Sequence, residues 1–226
     1  MYLVKVNLWM MRWILLSPLG WLWIVVSLSA IPLLDVLTPG STLGHGQSLT
    51  NLFSQLTFLA GIGGAMLAVS ALHSNRWVLT RCGTVKRLFS QGSAVTLASI
   101  TGASFVAAGS LWGIQESPID SPVIGAIGIS SLHLAAMAIL LLQLPRLIRY
   151  PAVLLPAIAW LLPALLSPTG AIGKILILAL DARCDPNLLR DPSLALLQGT
   201  AAPIISLTIG AILLTSGKQD ARPIQQ

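Results

Sequence analysis

Charge is what this chain has least of. Only 9% of its 226 residues are Asp, Glu, Lys or Arg, against about 25% in a soluble domain. So small a charged fraction excludes a water-facing surface over most of the chain, while 55% hydrophobic residues suit a bilayer. Acids are the scarcer sign: seven, against thirteen bases. The bases stand in short segments between apolar runs, so the net charge of +6 reflects loop bias and no nucleic-acid partner is expected. Cysteine is nearly absent. Cys82 and Cys184 fall on opposite sides in the topology derived below, so no disulfide is expected. The three histidines, His45, His73 and His133, are far apart without metal-ligand spacing, and no metal or other cofactor is expected.

What the chain does have is a series of apolar runs of about the length that crosses a bilayer. They predict an all-α, polytopic membrane protein forming one transmembrane domain over residues 1–226, with six spans at about 13–34, 52–72, 92–114, 122–144, 150–167 and 194–216. Residues 1–12 mix apolar and basic positions and read as a short interfacial helix, with Trp9 and Trp13 near the headgroups. Pro18 and Gly20 mark a bend or the true start of the first span. No small-x-small cleavage site follows this run, so a cleaved signal peptide is not expected. The fifth run is broken by Pro151, Pro156 and Pro163. After it, 170–180 is apolar but too short to cross, a candidate re-entrant or interfacial helix before the last span. In the second run, Gly61 and Ala65, and Gly64 and Ala68, are small residues four apart. Such pairs let helix backbones approach in lipid, at a dimer or a bundle interface.

The stretch His73 to Gln91, HSNRWVLTRCGTVKRLFSQ, fixes orientation. It carries Arg76, Arg81, Lys86 and Arg87 and no acid. A basic loop between two spans reads as cytoplasmic. With both termini inside and six alternating spans, ten of the thirteen bases lie inside and six of the seven acids outside. The basic split is the part that decides orientation. Short loops and small size point to a bacterial cytoplasmic membrane. Within the basic loop, residues 76–89 are compatible with a short amphipathic helix that Gly83 weakens.

All six runs lack Asp, Glu, Lys and Arg in their interiors. An ion-driven transporter or pump usually carries at least one such residue at depth. His133 is the one ionisable side chain there. It reads as a pore contact or, with no second His or carboxylate beside it, as a neutral packing histidine. Gly128-Ile129-Ser130-Ser131 resembles the nucleophile motif of rhomboid intramembrane proteases. The catalytic His of that family sits on a later helix, and no His follows His133. The dyad cannot be assembled, so Ser130 and Ser131 read as packing hydroxyls. Gly173-Lys174 resembles a phosphate-binding loop, but Pro168 replaces its first Gly and Ile175 its Ser/Thr. No catalytic constellation remains, and the chain is not expected to be an enzyme.

The layout of residues 1–12, the loop 74–90 and the segment 168–193 resembles that of the membrane subunits of type-2 ABC exporters. That family has an N-terminal interfacial helix, six spans, a cytoplasmic coupling helix between spans two and three, and a broken hairpin outside before the last span. The resemblance implies a permease that pairs with a second membrane subunit, as a homo- or heterodimer, and docks a separate ATP-binding subunit on loop 74–90. Trp77, Val78 and Leu79 would supply the apolar contacts and Arg81, Lys86 and Arg87 the rim. A path lined by Ser, Thr, Gly and aromatic groups suits a lipid, a hydrophobic peptide or a polyketide-like molecule more than an ion. A second reading is a non-catalytic membrane subunit or assembly factor of a larger complex.

The sidedness predicts that a membrane-impermeant thiol reagent applied to intact cells modifies Cys184 and reaches Cys82 only after permeabilisation. Mass spectrometry of the two peptides checks it, and modification of Cys82 alone in intact cells contradicts it.

Overall fold

The computed structural model describes residues 2–37, 46–75, 84–113, 121–143 and 150–161, with residues 165, 182, 183, 204 and 208 singly. All regular structure among them is helical: α1 (Tyr2–Leu16), α2 (Pro18–Leu37), α3 (Gly46–Ser74), α4 (Thr84–Gly113), α5 (Ser121–Gln143) and α6 (Pro151–Pro156), which runs into a π-helical turn (Ala157–Leu161). Among the described residues three stretches are long and apolar enough to cross a membrane: Leu52–Ser74, Val85–Leu111 and Val123–Leu142. A fourth is counted if α1 and α2 form one span bent by 84°.

The bend has a local cause. Ser17 stands between the two helices. Its Oγ donates to Ile14 O at 2.8 Å and accepts from Gly20 N at 2.9 Å. The second bond is the N-cap of α2, and Pro18 follows at the first helical position, where its missing N–H costs nothing. A hydroxyl thus closes one helix and opens the next, turning the chain through 84°. The helix expected over residues 1–12 extends to Leu16, and the first long apolar helix starts at Pro18 instead of residue 13.

α1 turns Val6, Met10 and Ile14, one stripe at a spacing of four, into the core against α3 and α4. Asn7 joins it to α4 by accepting from Ser93 Oγ at 3.3 Å. Its opposite face exposes Lys5, Leu8, Arg12 and Leu16. Trp9 and Trp13 lie half-buried between the two faces and pack on the core.

α4 is the central helix, in contact with α1, α2, α3 and α5. Its tightest partner is α3. A Cβ added to Gly64 would collide with Ala98 O, and one added to Gly102 would collide with Ala60 O. Ala60 and Gly64 on one helix thus meet Ala98 and Gly102 on the other, each pair four apart, and the backbones touch through carbonyls. Such close approach is how helices associate in lipid, where apolar side chains gain little by leaving the solvent. The small residues at Gly61 and Gly64 therefore face a partner helix of the same chain.

Trp23 of α2 fills the notch this seam leaves. Its Nε1 donates to Ala60 O at 2.9 Å, its ring meets Phe105 edge to face at 5.6 Å, and its indole lies where Cβ atoms on Gly63, Gly64 and Gly102 would stand. An indole N–H in an apolar bundle requires such an acceptor. Trp21, two residues earlier, is exposed.

α6 ends at Pro156, which has no N–H to bond back to the previous turn, and the helix widens into the π turn there. Leu155 and Ala159 are buried against the core. Ala182 packs there too, its N–H donating to Ala159 O at 3.1 Å. The apolar segment 170–180 and the last expected span, apart from Ile204 and Thr208, lie outside the described residues.

Gly102 and Gly128 make opposite predictions. Gly102→Val drives a branched side chain into the Ala60 carbonyl and the Trp23 ring and lowers stability by about 2 kcal/mol or more. Gly128, with open space where its Cβ would stand, gains about 0.5–1 kcal/mol on replacement by Ala. Unfolding in micelles measures both.

Candidate functional site

The long helices bring hydroxyls together where α3, α4 and α5 meet. α3 contributes Ser54 and Thr57, α4 contributes Ser99, and α5 contributes Ser130 and Ser131. With Gly61, Ala103, Ile127 and their neighbours they line a cleft of about 270 Å³, counting its open mouth. The enclosed end has room for about one water-sized group. α4 forms the floor, and α3 and α5 the walls.

Helical spacing explains the clustering. Ser54, Thr57 and Gly61 fall at i, i+3 and i+7 on one stripe of α3. Ile127, Ser130, Ser131 and Leu134 do the same on α5. The hydroxyls are buried: Ser99 is 1% exposed, Ser131 2%, Thr57 3% and Ser130 7%. Ser131 Oγ donates to Ser99 Oγ at 3.1 Å, joining α5 to α4. Thr57 Oγ1 donates back to Ser54 O at 2.9 Å on its own helix. Gly61 makes room for Ser99, whose Oγ would stand 2.8 Å from a Cβ added there.

Among the described residues no ionisable side chain lines this cleft. Ser130 is on its wall. His133, one turn further along α5, is buried but not part of the lining, and it is engaged by a neighbour of its own. Ser130 and His133 share one helix, α5. Among the described residues no three of His, Cys, Asp and Glu gather as metal ligands. The polar groups that line the cleft among the described residues are uncharged hydroxyls.

The expected docking segment is divided. Trp77, Val78, Leu79 and Arg81 lie outside the described residues. Lys86 and Arg87 belong to the first turns of α4, Lys86 exposed and Arg87 half-buried. Leu88 and Phe89 continue the same helix, so 84–89 opens the long α4. Asn7 and Ser93 bond to each other, so Lys5 and Arg12 on α1 share one end of the bundle with Lys86 and Arg87.

Compared with family profiles, with curated protein sequences and with solved structures, the chain matches none. Its functional reading therefore rests on its own residues. The sequence had pointed to Ser130 and Ser131 as packing hydroxyls and passed over Thr57 and Ser99. The signal that finds them is a stripe of hydroxyls and small residues recurring at helical spacing on three runs otherwise rich in Leu, Ile and Ala.

Proposed function

We propose that this chain is the membrane permease subunit of an ATP-driven exporter. It forms a translocation path with a second membrane subunit and couples to a separate ATPase through the cytoplasmic segment 74–90. The observation that carries the reading is the 84° break between α1 and α2. It lays a helix with one face on the bundle and the other exposed across the end where Lys5, Arg12, Lys86 and Arg87 gather. Four cations toward one end support reading that end as cytoplasmic, with six spans and both termini inside. A bacterial cytoplasmic membrane fits the same reading.

Two further features support it. The α3–α4 seam is closed by carbonyl contacts, and the cleft beside it admits about one water-sized group, so a path for a larger substrate belongs between subunits. The hydroxyl lining without ionisable groups favours an uncharged or amphiphilic substrate over an ion. ATP would be bound and hydrolysed by the partner, whose closing on segment 74–90 would move α3 and α4 as one unit. The same tight packing favours one alternative, a non-catalytic membrane subunit or assembly factor that holds a larger complex together.

Purified from its native membrane, the chain is expected to show no ATPase activity and to bring with it a P-loop protein. Replacing both Trp77 and Leu79 by Asp is expected to break that association while the chain still inserts. Repeated purification with other membrane proteins but no P-loop protein favours the assembly-factor reading.

A further inference from the structure

We infer that the cleft between α3, α4 and α5 is a binding site for the hydroxyl headgroup of an uncharged single-chain amphiphile, whose tail stays in the lipid at the cleft mouth. As a docking point for cargo this deepens the transport reading and rests on it; as a binding site it stands on the geometry alone.

The donors and acceptors set the chemistry. A hydroxyl has one proton to give and two lone pairs to receive. Ser99 and Ser131 share one hydrogen bond, so whichever hydroxyl donates, the pair keeps one proton with no acceptor among the described residues, a donor on the cleft lining. Thr57 Oγ1 gives its proton to Ser54 O, and its lone pairs make it an acceptor. The two are close. Thr57 lies one turn before Gly61 on α3, and Ser99 Oγ lies against Gly61. One donor and one acceptor about a turn apart, both more than nine-tenths buried, complement a group that donates and accepts at once. An alcohol does so, whereas an ether or ester oxygen only accepts and an ammonium only donates. With no ionisable side chain among the described lining residues, a charged headgroup would meet no counter-charge there to offset its desolvation.

Size sets the rest. The enclosed end, with room for about one water-sized group, is far smaller than a pocket that encloses a drug-sized ligand. A single hydroxyl fits and a whole amphiphile does not. On this proposal the tail leaves by the open side into the lipid; among the lining residues Ile127 and Ser54 are both half-buried. In that setting water competes weakly, and a buried donor or acceptor left unmet costs more than in solution.

The experiment uses the full chain in phosphatidylcholine nanodiscs, whose lipid headgroup carries no hydroxyl. A dodecanol bearing a photoreactive diazirine next to the carbinol carbon is cross-linked and the labelled peptides are mapped by mass spectrometry. Labelling is expected to saturate and to concentrate on residues 54–61 and 126–134. Excess 1-dodecanol is expected to compete and methyl dodecyl ether, which cannot donate, to fail. Thr57→Val combined with Ser99→Ala is expected to weaken binding roughly tenfold, and Ser104→Ala, an exposed hydroxyl on α4, to leave it unchanged. Labelling that is unsaturable or spread evenly, or equal competition by the ether, overturns the proposal. The comparison of alcohol with ether on the unaltered chain decides the matter even where the double variant fails to fold. No ATPase enters this experiment, so its result and the search for a P-loop partner succeed or fail separately.

Discussion

The contact on which the rest of this structure depends is the backbone approach of α3 to α4. In water two helices associate because their apolar faces leave the solvent; in lipid that gain is absent, and packing and hydrogen bonds must suffice. Here Ala60 and Gly64 meet Ala98 and Gly102 without an intervening side chain. The other helices follow from that contact. The notch left by the missing Cβ atoms receives Trp23, whose N–H takes the exposed face of the Ala60 carbonyl. α2 is thereby held against both partners. α1 lies across one end, with Met10 and Ile14 buried and Asn7 on Ser93. α5 closes the third side through the Ser131–Ser99 bond.

The same contact shapes the cleft. Gly61 lies one residue past Ala60 and three before Gly64, and its bare Cα lets Ser99 stand close to α3. A larger residue at Gly61 would fill the enclosed end or push Ser99 away from Ser131. Packing and candidate chemistry are thus two consequences of one run of small residues. They also bear on what the site can do: hydroxyls spaced along helices bind by complementary donation and acceptance, and among the described residues no three of His, Cys, Asp and Glu gather as metal ligands.

Much of the helical layout was legible in the sequence, because length and lack of charge are linear properties. The runs at 52–72, 92–114 and 122–144 correspond to helices; α3 and α4 begin well before the hydrophobic window, at Gly46 and Thr84, while α5 (Ser121–Gln143) keeps to it within a residue. Polar residues such as Gln47, Lys86 and Arg87 continue a helix at a bilayer surface as readily as they end it, so hydropathy cannot set those ends. Pro18 and Gly20 flagged the bend; Ser17, the residue that makes it, is an ordinary serine until its two hydrogen bonds are seen. The small residues at Gly61 and Gly64 signalled a seam, while the choice between a partner helix and a partner chain lies in three dimensions. Thr57 and Ser99 were invisible for the same reason: only the crossing of α3 and α4 places them beside each other.

The central claim is therefore that the small-residue seam joins α3 to α4 within one chain. A Cβ added to Gly61 would lie 4.0 Å from Ser99 Cβ, within the separation of about 3.5–4.5 Å that a disulfide spans. Gly61→Cys with Ser99→Cys, in a chain whose Cys82 and Cys184 are replaced by Ser, tests this by mild oxidation in native membranes. The account predicts an intrachain disulfide that leaves the protein monomer-sized on a denaturing gel and links the two peptides in mass spectrometry. A disulfide-linked dimer through the same cysteines, or free thiols at both positions, would contradict it.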